Sequence, residues 1–370
     1  MADFIPGLKL GDLFFHEAVK PLLESHFPAL HYAAALIGSG SEILGFDTVM
    51  SSDHHWGPRA MLFLSAEDKA QFAEAISGVM AQHLPHSFYG YPTNFAPPDP
   101  KDNGTQLLQP TEQGTINHRV EFFTVEDFVR DYLGFEWMEV DHLSPVDWLT
   151  MTGQKLRTVV GGAVYQDGVG DLTNLREKLA YYPHDVWLYL LAAGWARIGQ
   201  EEPFMGRTGS VDDELGSRLI AARLVHDLMN LCFLMEKQYA PYSKWFGTAF
   251  SRLKCAPALI PIFEAVLSAS TWQQRESHLS QAYHLVAEMH NALHLTPPLS
   301  TQVSSFFDRP FQVIHGDKFV DALLAQIQDP AVRQIAQNTH IGAVDQFSTS
   351  TDFLSDTKIT RRAKRLYAGD

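Results

Sequence analysis

The residues best suited to chemistry lie close together in the first part of the chain: Gly38-Ser39-Gly40-Ser41-Glu42, then Ser51-Ser52-Asp53-His54-His55-Trp56-Gly57. Glycines and small hydroxyl residues let a backbone approach a triphosphate closely and aim N–H groups at its oxygens. Asp53 and His55, two apart on an extended segment, share one face, and a carboxylate there suits a metal ion that also binds phosphate oxygens. Together these residues describe an in-line displacement at phosphorus, with metal steadying the attacking and leaving oxygens. Gly38, Ser39, Gly40 and Ser41 would cradle the phosphates, and Asp53 with His55 would hold Mg2+ or Mn2+.

Such a constellation needs rigid elements on both sides. Residues 30–37 (LHYAAALI) and 60–64 (AMLFL) are apolar runs that read as buried strands flanking the motif. Residues 13–27 carry apolar positions at helical spacing, and a helix is expected over 66–83, opened by Ser65 with Asp68 three residues on. A further strand is expected around His118-Arg119-Val120-Glu121-Phe122-Phe123. Between Pro85 and Gly114 a Pro/Asn/Asp/Gly-rich stretch without periodicity reads as either a disordered surface loop or a lid.

From Ser144 onward the pattern is helical. Ser144-Pro145-Val146-Asp147 sets an N-cap, a first-turn proline and an acidic residue in order, and longer amphipathic segments follow over 183–200, 212–236 and 271–293. The expected fold class is α+β: a small mixed-sheet domain over 1–140, followed by a helical-bundle domain over 141–370. The helical part has a polar cluster of its own, Glu201, Glu202, Arg207, Asp213, Glu214, Arg218 and Arg223. Arg207, in Gly206-Arg207-Thr208-Gly209, is read as lying just before a helix start near Ser210, where an anion would be favoured. The cluster reads either as phosphate binding or as interhelical ion pairs. Lys244, between Ser243 and Trp245, reads either as a nucleotide contact or as a lysine whose stem lies along the core edge.

A Gly-Ser turn, a spacer, and Asp-x-(Asp/Glu) at a strand end resembles the polymerase-β-type nucleotidyltransferase superfamily, and more narrowly the DUF4037 family. The narrower resemblance is carried by Tyr181-Tyr182-Pro183-His184-Asp185-Val186-Trp187, Gly199-Gln200-Glu201-Glu202-Pro203-Phe204, Gly206-Arg207-Thr208-Gly209, Asp213-Glu214-Leu215-Gly216-Ser217-Arg218 and Tyr239-Ala240-Pro241-Tyr242-Ser243-Lys244-Trp245, and it extends to about Leu253. It implies transfer of a nucleoside monophosphate from an NTP to a small-molecule or protein acceptor, with release of pyrophosphate. It also implies a third carboxylate on a later strand, for which Glu121 is the candidate, as base or metal ligand. This chain departs from the superfamily pattern at His55, where a second carboxylate is usual. An imidazole there favours transition metals over Mg2+, while Mn2+ accepts mixed ligands. Two other readings follow from that departure: a non-catalytic nucleotide-binding regulatory module, and a metallohydrolase using Asp53, His54 and His55.

With 370 residues, 45% of them hydrophobic, the chain can bury substantial cores. Its formal net charge of -15 argues against a nucleic-acid partner, the one dense basic cluster being residues 358–365 (KITRRAKR), expected as a solvated end. Cys232 and Cys255 form no paired-thiol motif, so neither a disulfide framework nor a cysteine zinc site is expected, and both are expected buried and reduced. No apolar run is long enough to span a bilayer and no signal sequence is evident, which makes the cytoplasm the expected location.

Overall fold

Small and apolar side chains at Ala33, Ala34, Ala35 and Leu36 let strand β1 (Ala33–Leu36) lie in the middle of a sheet with both faces buried. In the computed structural model, which describes residues 4–51, 56–102 and 104–368, the chain divides into two compact units. The first holds residues 1–142 and 155–180, the second residues 143–154 and 181–370.

The first unit opens with helix α1 (Gly7–Phe14), a π-helical turn at Phe15–Val19 and helix α2 (Lys20–His26), before β1. Strand β2 (Arg59–Phe63) leads into helix α3 (Ala66–His83), which Ser65 caps by accepting the Asp68 N–H at 3.0 Å. The Pro-rich stretch after it is ordered among its described residues. It carries the hairpin β3 (Ser87–Phe88) and β4 (Tyr91–Pro92), then the bridges Phe95–Leu108 and Asp99–Thr105. Strand β5 (Arg119–Phe123) follows, then the short helix α4 (Val125–Phe128).

Helices α5 (Pro145–Thr150) and α6 (Gly153–Val160) lead to strand β6 (Ala163–Asp167) and helix α7 (Asp171–Lys178). The sheet order is β5-β2-β1-β6, with β2 and β5 parallel and the other pairs antiparallel. A single cut near residue 140 therefore does not divide this chain, because β6 hydrogen-bonds to β1 and belongs to the first unit. One face of the sheet, with Ala34, Leu62 and Val120, packs on Leu10, Phe14, Phe15, Ile76 and Met80. Each large side chain buried there contributes roughly 1.5–3 kcal/mol. By the two-residue alternation of strands, Arg59, Met61, Phe63, Arg119, Glu121 and Phe123 belong to the other face.

The second unit is mainly helical. The N-cap expected at Ser144 forms, as half of a capping box: its hydroxyl accepts the Asp147 N–H, and the Asp147 carboxylate accepts the Ser144 N–H at 2.9 Å. Helices α8 (His184–Gly209) and α9 (Glu214–Met235) run antiparallel, with Arg197 paired to Asp227 and Arg223 to Glu201. Then come α10 (Ser243–Phe250), α11 (Ala256–Ser268) and α12 (Trp272–Ala292). A hairpin, β7 (Ser304–Phe306) and β8 (Arg309–Val313), interrupts the helices before α13 (Gly316–Leu324). The core includes Trp195, stacked on Phe319 with ring centroids 4.0 Å apart, and Arg275, fully buried and bonded to Ser217 and Glu214. Part of the basic C-terminal stretch is packed and not a solvated end. Thr360, Ala363 and Tyr367 are buried, Lys364 pairs with Asp147, and the Tyr367 hydroxyl donates to Gly342 O at 2.8 Å. No helix among the described residues is long and apolar enough to cross a membrane.

Candidate functional site

Where β1 ends, the chain turns sharply. The Gly38 N–H donates to Thr158 O at 3.0 Å, and Gly38 and Gly40 take φ of +83° and +141°. At Gly40 a side chain is excluded twice over, by that φ and because a Cβ would stand 2.5 Å from the Glu42 carboxylate. Ser39 is exposed, while Gly40 and Ser41 are half-buried.

The turn is held from inside by Arg59, the first residue of β2. Its Nε donates to Glu42 Oε1 at 3.0 Å, and its Nη2 donates both to the same oxygen and to Ser39 O, the latter at 2.9 Å. Both residues are withdrawn from solvent, Arg59 at 5% and Glu42 at 3% exposure. Burial by itself would lower the pKa of the guanidinium, but the carboxylates of Glu42 and Glu121 outweigh it and raise the pKa, so Arg59 is a permanent cation. The Tyr165 hydroxyl nearby is held well above its ordinary range by burial.

Beside the turn stands an aromatic pair. Phe128 and Tyr132 stack at 5.3 Å with 13° between planes, and their rings lie 3.5 and 3.7 Å from where a Gly38 Cβ would be. The Tyr132 hydroxyl is 2.6 Å from Thr158 Oγ1. Lys155 Nζ donates to Tyr132 O at 2.8 Å and lies 5.0 Å from the ring centre. A flat, partly exposed ring with a cation against it suits a planar, anionic ligand.

Glu121 is on β5, in register with Met61 of β2 and on the same face as Arg59. It accepts from Arg119 Nη2 at 3.0 Å, and its side chain remains 35% exposed. The structure thus brings Gly38, Ser39, Gly40, Ser41 and Glu121 into one unit together with Glu42, which the sequence motif included without a role, and with Arg59, Tyr132 and Lys155 as neighbours that sequence reasoning did not single out. A lone arginine at the head of the apolar run Ala60-Met61-Leu62-Phe63 is the signal that marks Arg59.

Asp53 and His55, with His54, lie outside the described residues. The chain before them forms a short 3-10 turn at Val49–Ser51. After them Trp56 is buried and donates from Nε1 to Asp47 Oδ2 at 3.0 Å, an oxygen that also accepts the Gly7 N–H at 2.6 Å. Among the described residues there is no group of three His, Cys, Asp or Glu side chains placed to hold a metal ion.

Arg207 is in the second unit, and its expected setting is corrected. Helix α8 continues through Gly209, so Arg207 sits in a last turn, where carbonyls and not N–H groups are left over. Gly209 is a contact glycine, since a Cβ there would come within 2.3 Å of Trp272 Cβ. The next helix, α9, starts at Glu214, and the carboxylate of Asp213 accepts its Gly216 N–H at 2.8 Å. The surrounding charges form ion pairs: Arg223–Glu201, Arg197–Asp227 and Arg275–Glu214. Glu202 is buried and accepts the N–H groups of Ile314, His315 and Gly316 at 2.6, 3.3 and 3.1 Å. Lys244 is exposed in the first turn of α10, its ammonium 5.2 Å from the Trp245 ring centre.

A search of curated proteins gives no match. One solved structure found by the comparison is a nucleotidyltransferase-like protein from Exiguobacterium sibiricum 255-15, at 11% identity and a TM-score of 0.32, over 75% of this chain and 78% of that one. The family match falls on the part of the chain that carries most of the quoted motifs: residues 148–246 match the family model described as a domain of unknown function, DUF4037.

Proposed function

We propose that the chain is a metal-dependent nucleotidyltransferase that moves a nucleoside monophosphate from an NTP to a small-molecule or protein acceptor and releases pyrophosphate. The observation that supports this reading best is the 38–41 turn, fixed from beneath by Arg59 and bordered by the Phe128–Tyr132 pair. In this reading the turn and Lys155 receive the triphosphate, and the Tyr132 ring lies against the base. Glu121 takes the proton of the acceptor hydroxyl as its oxygen bonds to the α-phosphorus and the bond to the β-phosphate oxygen breaks. Positioning and charge neutralisation supply most of the rate.

Glu42 and Glu121 are each paired with an arginine, so the metal donors are assigned to Asp53, with or without His55. A carboxylate there fits Mg2+, and an added imidazole moves the preference toward Mn2+. When bound, the ion would neutralise triphosphate charge. Calorimetric titration with ATP, GTP, CTP and UTP, in Mg2+ and separately in Mn2+, tests the reading alongside Asp53→Asn. Metal-dependent binding of one nucleotide, lost in the variant, is expected; equal binding by the variant would remove Asp53 from the site.

The Arg119–Glu121 pair favours a second reading, a non-catalytic nucleotide-binding module, because one Glu121 oxygen already accepts from the Arg119 guanidinium at 3.0 Å and is not free to face an acceptor. Pyrophosphate release separates the two. Binding without turnover, with activity gained in His55→Asp, would favour the regulatory module.

A further inference from the structure

The chain has two cysteines, and the fold brings them together at the junction of α9 and α11. Glu236 N donates to Cys232 O at 2.9 Å, one helical turn apart, so Glu236 and Cys232 share a face of α9. The Glu236 carboxylate accepts the N–H groups of Lys254 and Cys255, each at 2.8 Å, and this clasp sets Cys255 over that face, at the residue preceding α11. Phe250 packs on Phe233 of α9 and on Phe263 of α11, which holds the same junction. The Cys255 side chain is the hydrogen-bond partner of the Cys232 thiol. Cys232 is fully buried and Cys255 is partly exposed.

We propose that Cys232 and Cys255 are an oxidisable pair that closes to an intramolecular disulfide when the chain meets a peroxide. Exposure sets the order of events. The Cys255 sulfur attacks a peroxide oxygen as thiolate, the O–O bond breaks, and the departing hydroxide takes a proton to become water, leaving Cys255 as a sulfenic acid. The Cys232 sulfur then attacks the Cys255 sulfur, the S–O bond breaks, and the hydroxide leaves as water with the Cys232 proton. Two thiols and one peroxide give one disulfide and two waters. Burial holds the Cys232 thiol well above its ordinary pKa and away from solvent peroxide, which leaves the first step to Cys255. The cross-link would tie the end of α9 to the start of α11 and be reversed by a dithiol.

The test is exposure of the full chain to graded hydrogen peroxide, followed by thiol counting and non-reducing peptide mapping. The expected result is loss of both thiols together, one cross-linked peptide joining Cys232 to Cys255, a raised thermal midpoint, and full return with dithiothreitol. In Cys232→Ser, or Cys232→Ala should the serine variant fail to fold, Cys255 should accumulate as a dimedone-reactive sulfenic acid. Cys255 advancing to sulfinic acid in the wild type while Cys232 stays a free thiol would overturn the proposal. So would cross-links formed only between chains.

Discussion

Each unit hides a carboxylate from solvent, and the two are compensated differently. Glu42 in the first unit meets a full positive charge, the Arg59 guanidinium. Glu202 in the second is 4% exposed and meets three backbone N–H groups at the head of α13. Partial charges on amides do not offset desolvation as a guanidinium does, and burial pushes Glu202 up to about 7. The first unit therefore carries a pin whose charge is constant across physiological pH. The second carries a group whose charge follows pH.

The largest effect is expected from Arg59→Met, which leaves Glu42 buried without a counter-charge. Breaking such a pair costs about 3–5 kcal/mol, and urea unfolding should show it. A loss below about 1 kcal/mol would mean that the pair behaves like a surface one, and the contrast with Glu202 would fall. Adding Glu42→Leu should recover much of the stability, because the unpaired charge goes with it.

The next prediction concerns pH. Glu202 binds its proton more tightly folded than unfolded, about 7 against an ordinary 4.5, so its contribution is fully present below 4.5 and is lost as pH rises through 7. His290, buried beside Trp195 and Phe319, is lowered by burial from 6.5 to about 4, so its contribution is present above 6.5 and is lost as pH falls through 4. The two oppose each other between 4.5 and 6.5, so their contributions largely cancel there. Glu202→Gln should leave the histidine uncompensated by Glu202, its ~3 kcal/mol being lost on acidification from pH 6.5 to 4. An unchanged pH profile in that variant would show that the amides, and not burial, govern Glu202.

The smallest effect is expected at the exposed Arg223–Glu201 pair, whose side chains are 50% and 21% accessible. Arg223→Ala should change stability by only about 0.2–1 kcal/mol, and less in high salt. A loss approaching that of Arg59→Met would show that position in the helix pair, and not burial, decides what an ion pair contributes.

Local chemistry carried the sequence reading where a signal and its partner were neighbours. Ser65 and Asp68, or Ser144 and Asp147, are three residues apart, and each cap forms as its spacing requires. The reading lost its grip where the partner was distant. Gly206 and Gly209 look like a turn beside Arg207, yet Gly209 faces Trp272 of another helix and α8 runs through it. Ala163 to Asp167 are half-buried, and nothing in those five residues announces that they pair with β1. Cys232 and Cys255 likewise meet only because a glutamate clasp closes the junction between their helices. Of the candidate site, the glycine turn and Glu121 were legible, whereas the arginine holding that turn and the aromatic pair beside it depend on tertiary contacts. Asp53 and His55 lie outside the described residues.

The late arrival of β6 bears on synthesis. A sheet formed from β5, β2 and β1 before β6 is in place would leave one flank of β1 bare, its N–H and C=O groups open to another extended chain. In the finished unit β6, arriving last, closes that flank as its final stave.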